Sequence, residues 1–327
     1  MMKVAVTGAS GHIGNCLVRE LLKKGDRVKV LVHNFENDLA QMDVEMIRGN
    51  LLDSDSLKKL CEGVEVVFHL AAKIALDNRQ PGEVFAVNVT GTKNIIEASK
   101  SAGVRKFIHF SSIDAFQKIP SEMVLDESKP LIESEKAIYA FTKAESERVV
   151  MNAVKEGLDA MILSPTAVIG PFDYRGSFLG GALLKIYRNQ IPMLISGGYN
   201  WVDVRDIVIA AIQSVESGKK GEKYILSGNF YHLKELSELI GKISGKRTPT
   251  LLAPVFMAKL ACPFFQLYYS ITNGKPVFTC QSLDLLINSP KNISFDKARR
   301  ELGYEPRPLE QTLRDTFNWY RENKKLK

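Results

Sequence analysis

Short apolar runs alternate with amphipathic segments along the first half of the chain. The runs are rich in Val, Ile and Leu, which is typical of strands buried on both faces of a parallel sheet. Between them, apolar residues recur every three or four positions, which predicts helices. This alternation predicts an α/β protein with a doubly wound parallel sheet. The predicted strands are 4–6, 27–33, 44–50, 64–72, 104–112 and 158–165, and two of the predicted helices are 87–103 and 132–157.

The pattern becomes irregular in the second half, where glycine, proline and aromatic residues interrupt it. Two later segments keep the character of the first half, because 201–216 predicts a helix and 222–228 a strand. We therefore expect two domains. Residues 1–165, rejoined by about 201–228, form a nucleotide-binding domain. Residues 166–327 form most of a smaller, discontinuous substrate-binding domain.

The sequence TGASGHIG joins the first predicted strand to the first helix. Gly8 permits a tight turn, Gly11 a close approach of the backbone to a ligand, and Gly14 close contact between helix and strand. The amides at the N-terminus of such a helix suit a pyrophosphate. A glycine-rich loop without a ligand is the alternative. The position between strand and helix favours a dinucleotide site.

Tyr139 and Lys143 lie four residues apart in a predicted helix, so both side chains project from one face. The preceding strand ends in two hydroxyls, Ser111 and Ser112. An ammonium group near a phenol stabilises the phenolate and lowers the tyrosine pKa, which suits a proton donor or acceptor. A surface Tyr–Lys pair without function is the alternative. The order of glycine loop, hydroxyls and Tyr–Lys pair favours catalysis.

Composition and charge exclude several classes of protein. The chain of 327 residues has a net charge of +7, but its basic residues are scattered, so nucleic-acid binding is not expected. The four cysteines have neither metal-ligand nor disulfide-framework spacing. The first strand begins at Lys3, which leaves no room for a signal peptide. We therefore expect a cytoplasmic protein without a bound metal.

One apolar stretch, residues 251–271, contains a single charge, Lys259. Its length approaches that of a membrane-spanning helix, but Pro254 and Pro263 interrupt it. We expect a buried or lid-like helical segment that lines an apolar pocket, and membrane contact is not expected.

The motifs occur in an order that resembles the extended short-chain dehydrogenase/reductases, in the branch of dihydroflavonol-4-reductase-like enzymes and NAD-dependent epimerases and dehydratases. The resemblance rests on TGASGHIG, HLAA, NVTGTKNIIEA, FSSIDAF, YAFTK, SPTAVIGP, WVDVRDI and LGYEPRPLEQTL. It implies a Rossmann-type fold. It also implies that Ser112, with Ser111 as the alternative, aligns a substrate carbonyl and that Tyr139 is the acid/base. Lys143 then tunes Tyr139 and holds the nicotinamide ribose, and Asn88 supports the site.

The same resemblance implies which residues contact the cofactor, including backbone near the end of the sixth strand for the carboxamide. They are Gly8, Ser10, Gly11, His12, Ile13, Gly14, His33, Asn50, Leu51, Leu70, Ala71, Ala72, Tyr139, Lys143, Pro165 and Val168.

The end of the second predicted strand bears on the choice of cofactor. NAD-preferring relatives generally carry an acidic residue there that binds the ribose hydroxyls, whereas this chain has Val32 and His33. Without a carboxylate the 2′-phosphate of NADP is not repelled, so we expect NADP to be favoured, with NAD as the alternative. Reductases of this branch often carry arginine at the His33 position. Asn50 stands where an aspartate usually faces adenine and can still hydrogen-bond it.

These observations predict an NADP-preferring oxidoreductase that reduces the ketone or aldehyde carbonyl of a small, fairly apolar substrate. An NAD-dependent nucleotide-sugar epimerase is the first alternative, because Arg175, Arg188 and Arg205 could hold a second pyrophosphate. A non-catalytic NADP-sensing regulator is the second. Dehydration is disfavoured, because Asp114 lacks a second acidic neighbour. The resemblance leaves a homodimer open.

Overall fold

The computed structural model describes residues 1–33, 39–75, 80–120, 123–260, 262 and 279–326. The strands are β1 (Lys3–Thr7), β2 (Arg27–Val32), β3 (Glu45–Arg48), β4 (Val66–His69), β5 (Lys106–Phe110), β6 (Ala160–Pro165), β7 (Ala167–Ile169), β8 (Leu194–Ile195), β9 (Gly198–Asp203), β10 (Lys223–Leu226), β11 (Phe230–His232) and β12 (Leu252–Ala253). The helices are α1 (His12–Lys23), α2 (Ser54–Cys61), α3 (Pro81–Phe85), α4 (Gly91–Ser101), α5 (Ile138–Lys155), α6 (Phe178–Tyr187), α7 (Val204–Ser217), α8 (Leu233–Ser244), α9 (Cys280–Ile287), α10 (Asp296–Leu302) and α11 (Leu309–Glu322).

The central layer is a parallel sheet of seven strands in the order β3–β2–β1–β4–β5–β6–β10. Side chains alternate between its two faces, so Val4 and Val6 lie in one apolar core while Ala5 lies in the other. Helices α1 and α7 cover the first face, and α2, α4 and α5 cover the second. The predicted doubly wound α/β fold is confirmed.

Two helix predictions are wrong at their N-terminal ends. Helix α5 begins at Ile138 rather than at residue 132, because the Ile132 amide donates to the Ala115 carbonyl and residues 131–132 lie along the Phe116 segment. In the predicted helix 201–216, residues up to Asp203 are strand β9. The Asp203 carboxylate accepts a hydrogen bond from the Arg205 amide and so caps α7, which begins one residue after it.

The predicted helix 87–103 is divided. Residues Ala86–Thr90 form a turn of π-helix, and α4 begins at Gly91. An added Cβ at Gly91 would lie 2.7 Å from the Leu51 side chain, so glycine permits α4 to approach the segment after β3. The π turn contains Asn88, which is buried. Such turns frequently occur at functional sites.

A second layer lies beyond the carboxyl end of β6. Strands β7, β9 and β11 form a three-stranded sheet, and β8 pairs with β12. Side chains from α6, α8 and α11 form an apolar core with this layer. None of the described helices is long and apolar enough to cross a membrane.

The described part of the apolar stretch 251–271 is only partly buried, which differs from the expectation of a buried segment and does not test the lid-like alternative. Residues 255–260 are helical, but the side chains of Leu251, Phe256 and Leu260 are exposed. Residues 261 and 263–271 lie outside the described part of the chain.

Candidate active site

The carboxyl ends of the central strands meet at one edge of the sheet, and the predicted site residues follow them in strand order. Thr7 of β1 pairs with His69 of β4, which pairs with His109 of β5. Ser112 lies two residues beyond β5, and the glycine turn leaves β1. At the far side, His33 follows β2 and Asn50 and Leu51 follow β3. This edge is where nucleotides bind in doubly wound sheets.

The turn after β1 has no room for side chains. Gly8 has φ +73°, and an added Cβ there would lie 2.6 Å from the Ala71 amide nitrogen. At Gly14 an added Cβ would lie 2.2 Å from the Gly8 carbonyl oxygen, so α1 packs directly on the turn. The N-cap of α1 is Gly11, which has no side chain to accept hydrogen bonds from the first-turn amides. These features suit a pyrophosphate at the N-terminus of α1.

A chain of uncharged hydrogen bonds links this turn to helix α5. The Thr7 hydroxyl lies 2.7 Å from His69 Nδ1, and His69 Nε2 lies 3.0 Å from the Thr92 hydroxyl. Thr92 donates to the Asn88 carbonyl oxygen, and the Asn88 side-chain amide donates to the Thr142 hydroxyl. The Asn88 amide group also holds the backbone of Lys73. Asn88 therefore has the supporting position expected of it.

The directions of these hydrogen bonds fix the state of His69. Because the Thr92 hydroxyl donates its proton to the Asn88 carbonyl, it accepts from Nε2–H of His69. Nδ1 of His69 then accepts from Thr7. Burial lowers the pKa of His69 to about 3, with a smaller contribution from the charge of Lys143. This histidine is a neutral link in the chain rather than an acid or base.

Tyr139 lies in the first turn of α5, and Lys143 lies one turn later. The Lys143 ammonium is buried and donates to the Phe110 carbonyl oxygen at 2.5 Å. Burial lowers its pKa to about 8, and the negative charge of Glu147 opposes that shift. The structure thus brings the predicted pair to the end of β5, as the four-residue spacing requires.

Ser112 and Asp114 form a compact turn beside the pair. The Ser112 hydroxyl donates to Asp114 Oδ2 at 3.3 Å and accepts from the Asp114 amide at 3.2 Å. Burial raises the pKa of the Asp114 carboxyl, while the Ser112 hydrogen bond and the charge of Lys118 oppose the shift. This carboxyl belongs to the site and is not a solvated surface group.

The expected lowering of the Tyr139 pKa is wrong for this structure. Burial and the charge of Asp114 raise the pKa, and a hydrogen bond with Ser112 only partly offsets them. Lys143 does not lower it here, because its ammonium is bonded to the Phe110 carbonyl. Spacing alone predicts a shared helix face but not the partner that a flexible lysine selects.

Orphaned hydroxyls test whether the cleft fits a dinucleotide. Among the described residues, the buried hydroxyls of Ser111, Ser164 and Thr166 have no hydrogen-bond partner. Ser164 lies within β6, whereas Ser111 and Thr166 lie outside the strands. These two follow β5 and β6, next to Ser112 and Pro165 respectively. Buried hydroxyls without partners are uncommon in proteins, so they fit the nicotinamide end of a bound cofactor. The glycine turn fits its phosphates.

The adenosine end of the cleft is more open. The His33 side chain is exposed. The Asn50 side-chain oxygen accepts from the Leu52 amide at 2.8 Å. Leu51 is buried below it.

The remaining predicted cofactor residues lie around the same cleft edge. The side chain of His12 lies 2.9 Å from the Pro171 carbonyl oxygen and so connects the glycine turn to the second layer. Val168 lies in β7 and pairs with Val202 of β9. The others occupy the glycine turn, the segment after β4 and the end of β6. They are Ser10, Ile13, Leu70, Ala72 and Pro165.

Sequence reasoning missed Thr7, Thr92 and Thr142, whose hydroxyls support the site. Threonine within a buried strand or helix was the only available signal, and it is common in proteins without such a role. Two of the arginines that could hold a second pyrophosphate in an epimerase are bonded to other residues of the protein. Arg205 forms ion pairs with Asp203 and Asp315, and Arg188 donates to the Lys325 carbonyl.

This fold and cleft define an NAD(P)-dependent oxidoreductase, and comparison with known proteins supports that class. The chain is 31% identical to sterol demethylase protein B of Methylococcus capsulatus over 328 residues, which cover 98% of this chain and 99% of that protein. It is 26% identical over 316 residues, covering 95% and 94% of the two chains, to the 4-hydroxy-2-methyl-3-oxo-4-farnesyl-3,4-dihydroquinoline-1-oxide ketoreductase of Stigmatella aurantiaca. The crystal structure of gox2253 superposes with a TM-score of 0.86 and 30% identity, covering all of both chains.

The family model of the NAD dependent epimerase/dehydratase family matches residues 4–227. This protein belongs to that family.

Proposed function

We propose that this protein is an NADPH-preferring reductase that converts the carbonyl of a small, apolar substrate into an alcohol. Bound NADPH supplies the hydride that the carbonyl carbon receives. Tyr139 donates the proton to the carbonyl oxygen, and Ser112 donates a hydrogen bond to the same oxygen. Lys143 and backbone near Pro165 and Val168 hold the nicotinamide half of the cofactor.

The observation that carries the proposal is the group of Ser112, Tyr139 and Lys143 at the carboxyl end of β5, in which the serine and the lysine are buried and the tyrosine is half-buried. A hydrogen bond joins Tyr139 and Ser112, so one carbonyl oxygen can receive both hydroxyls. The phenol of Tyr139, whose pKa is raised, is protonated at neutral pH and so carries the proton that reduction of a carbonyl requires.

The NADPH preference rests on the end of β2. The residue that follows this strand is His33, whose side chain is exposed and is not a carboxylate that would oppose the extra phosphate. Asn50 faces the adenine through its NH₂ group, and Gly8, Gly11 and Gly14 receive the pyrophosphate.

The apolar substrate is inferred from two observations. The names of two relatives refer to a sterol and to a farnesyl compound, both of which are largely hydrocarbon. Arg188 and Arg205, two of the three arginines that could hold the second pyrophosphate of a nucleotide-sugar, are already bonded within this protein. We infer that residues 166–327, apart from the part that returns to the central sheet, form the substrate side of the cleft.

The test begins with dissociation constants for NADPH and NADH, followed by a screen of ketones and aldehydes. In the Tyr139→Phe variant we expect NADPH binding within twofold of wild type and turnover lowered by roughly 10²-fold or more. Tyr231→Phe, which alters a tyrosine of the second layer, is the matched control and should keep full activity. Tightly retained NAD would instead favour the epimerase. Unchanged turnover in Tyr139→Phe would overturn the proposed chemistry and favour the NADP-sensing regulator.

A further inference from the structure

Five large apolar side chains lie exposed within ten residues of one another. The exposed fractions are 69% for Leu251, 47% for Leu252, 64% for Phe256, 49% for Met257 and 67% for Leu260. Elsewhere in the part of the chain that the structure describes, no ten-residue stretch exposes more than two large apolar side chains. We call these five residues the 251–260 face. Apolar exposure on this scale marks an interaction surface.

The opposite side of the same helix is already packed. Ala258 and Cys262 are buried, and they form a small apolar core with Leu283 of α9. The helix therefore already packs on the protein through one side, and the exposed apolar side chains form its other, outward side. A helix that is apolar on both sides is typical of a protein interior or of a membrane boundary.

The surrounding sequence is basic and contains no carboxylate. Between Glu238 and Asp284 there are 45 residues, none of which is Asp or Glu. At the average frequency of this chain, 37 in 327 residues, about five would be expected. The same 45 residues contain five cations. They are Lys242, Lys246, Arg247, Lys259 and Lys275.

Two of these cations lie close to the exposed apolar residues along the chain. Lys259 stands between Met257 and Leu260 on the helix, and Arg247 precedes Leu251 by four residues. Both are exposed. Apolar side chains next to cations, without carboxylates, match the boundary between acyl chains and anionic headgroups.

We propose that the 251–260 face docks this protein on the surface of a bilayer that contains anionic phospholipid. Phe256, Met257 and Leu260 enter the headgroup boundary, while Lys259 and Arg247 lie at the level of the phosphates. Pro254 and Pro263 interrupt the apolar stretch, and its Ala258 and Cys262 side packs on α9, so the segment lies on the membrane rather than across it. The proposal stands independently of the reductase activity.

A second copy of the chain fits this face less well than a bilayer does. Two-fold association places the same surface on both sides of the contact. Lys259 and Arg247 would then face cations of the partner copy with no carboxylate between Glu238 and Asp284 to neutralise them. Anionic lipid removes that repulsion.

The experiment is sedimentation of the full chain with vesicles of phosphatidylcholine alone, and of phosphatidylcholine with about one third phosphatidylglycerol. The double variant Phe256→Ser, Leu260→Ser tests the apolar contact. Met46→Ser, Ile209→Ser is its matched control, since both residues are exposed apolar side chains elsewhere, on β3 and α7. A third variant, Arg247→Glu, Lys259→Glu, tests the charge. NADPH affinity and thermal melting verify that each variant is folded.

We expect wild type and the matched control to bind the anionic vesicles more tightly than the neutral ones. The apolar double variant should require at least about tenfold more lipid for half-binding, and the charge variant should lose the preference for anionic lipid. Absence of binding to either vesicle by the folded protein overturns the proposal. So does binding that the apolar variant leaves unchanged. A dimer in light scattering that dissociates in that variant would overturn it in favour of a contact between copies.

Discussion

The two ends of the cofactor cleft are built differently. At the catalytic end, Ser112, Lys143 and His69 are buried, and each has a hydrogen-bond partner within the protein. At the adenosine end, His33 is exposed to solvent. For the reductase proposed above, this difference means that the fold holds the reacting groups in advance, while the choice of cofactor depends on the surface side chain of His33. Substitutions at the catalytic end should strongly lower activity. Substitutions at the adenosine end should change the preference between the two cofactors without changing the fold.

The largest effect is expected from Lys143→Met. The substitution removes the donor to the Phe110 carbonyl and the ammonium beside Tyr139. We expect turnover to fall by roughly 10²-fold or more, measured with saturating NADPH and the substrate from the screen. Lys155→Met, at the exposed C-terminal end of the same helix, should be unaffected. Equal activity in the two variants would show that Lys143 takes no part in the reaction.

The buried histidine should make stability fall in acid. Because the pKa of His69 is about 3 in the folded protein and about 6.5 when unfolded, the unfolded chain binds more protons between those pH values. Stability is therefore complete above pH 6.5 and is lost as the pH falls. At pH 5 the loss is roughly 2 kcal/mol. Burial lowers the pKa of His109 in the same way.

Chemical denaturation at pH 7.5 and pH 5 measures this loss. His69→Gln keeps one acceptor and one donor for Thr7 and Thr92 but cannot titrate, so its stability should depend less on pH than that of wild type. His33→Gln, at the exposed end, should keep the wild-type dependence. A dependence that His69→Gln leaves unaltered would show that other groups cause the loss.

His33→Asp tests the adenosine end. The new carboxylate repels the 2′-phosphate of NADPH and can accept from the ribose hydroxyls of NADH. We expect the ratio of the two dissociation constants to move towards NADH by about tenfold, with an unchanged melting temperature. Gln190→Asp, which adds the same charge at an exposed position after α6, should keep the original ratio. An unchanged ratio in His33→Asp would place the 2′-phosphate elsewhere.

The smallest effect is expected from Asp114→Asn. The charge of Asp114 raises the pKa of Tyr139, so its removal lowers that pKa. The alkaline limb of the pH–rate profile for reduction should move to lower pH, with turnover near neutrality changed only about threefold. Asp126→Asn, at a half-buried carboxylate that accepts hydrogen bonds from Ser128, is the control. An alkaline limb at the same pH in Asp114→Asn would show that Asp114 does not affect the pKa of the proton donor.

The sequence predicts the fold better than it predicts the bonds within the site. Apolar periodicity and the glycine turn locate every strand of the central sheet, because buried parallel strands and tight turns depend on local residue choice. The start of α5 was missed, since the extended path of residue 132 depends on a long-range hydrogen bond to Ala115. The prediction of helix 201–216 is wrong at its start, because pairing with β7 makes Trp201 and Val202 strand residues.

Within the site, spacing brought Tyr139, Lys143 and Ser112 together correctly in space. It did not predict that Lys143 binds the Phe110 carbonyl, so that the lysine does not lower the pKa of Tyr139 in this structure. Nor does any local pattern reveal that Thr92 connects His69 to Asn88, because the three residues come from different elements. The role of a single side chain can be inferred from the sequence, whereas a hydrogen-bond network between elements is seen only in the three-dimensional structure.

The hydrogen-bond chain from Thr7 through His69 and Asn88 to Thr142 consists only of neutral groups. Added salt screens charges but not such bonds. The distance between the phosphate turn and the proton donor is therefore insensitive to ionic strength. Raising the salt concentration should weaken capture of the anionic cofactor, while turnover of the filled enzyme stays constant. Ionic strength should thus change the fraction of the enzyme that has cofactor bound, but not the rate of its chemical step.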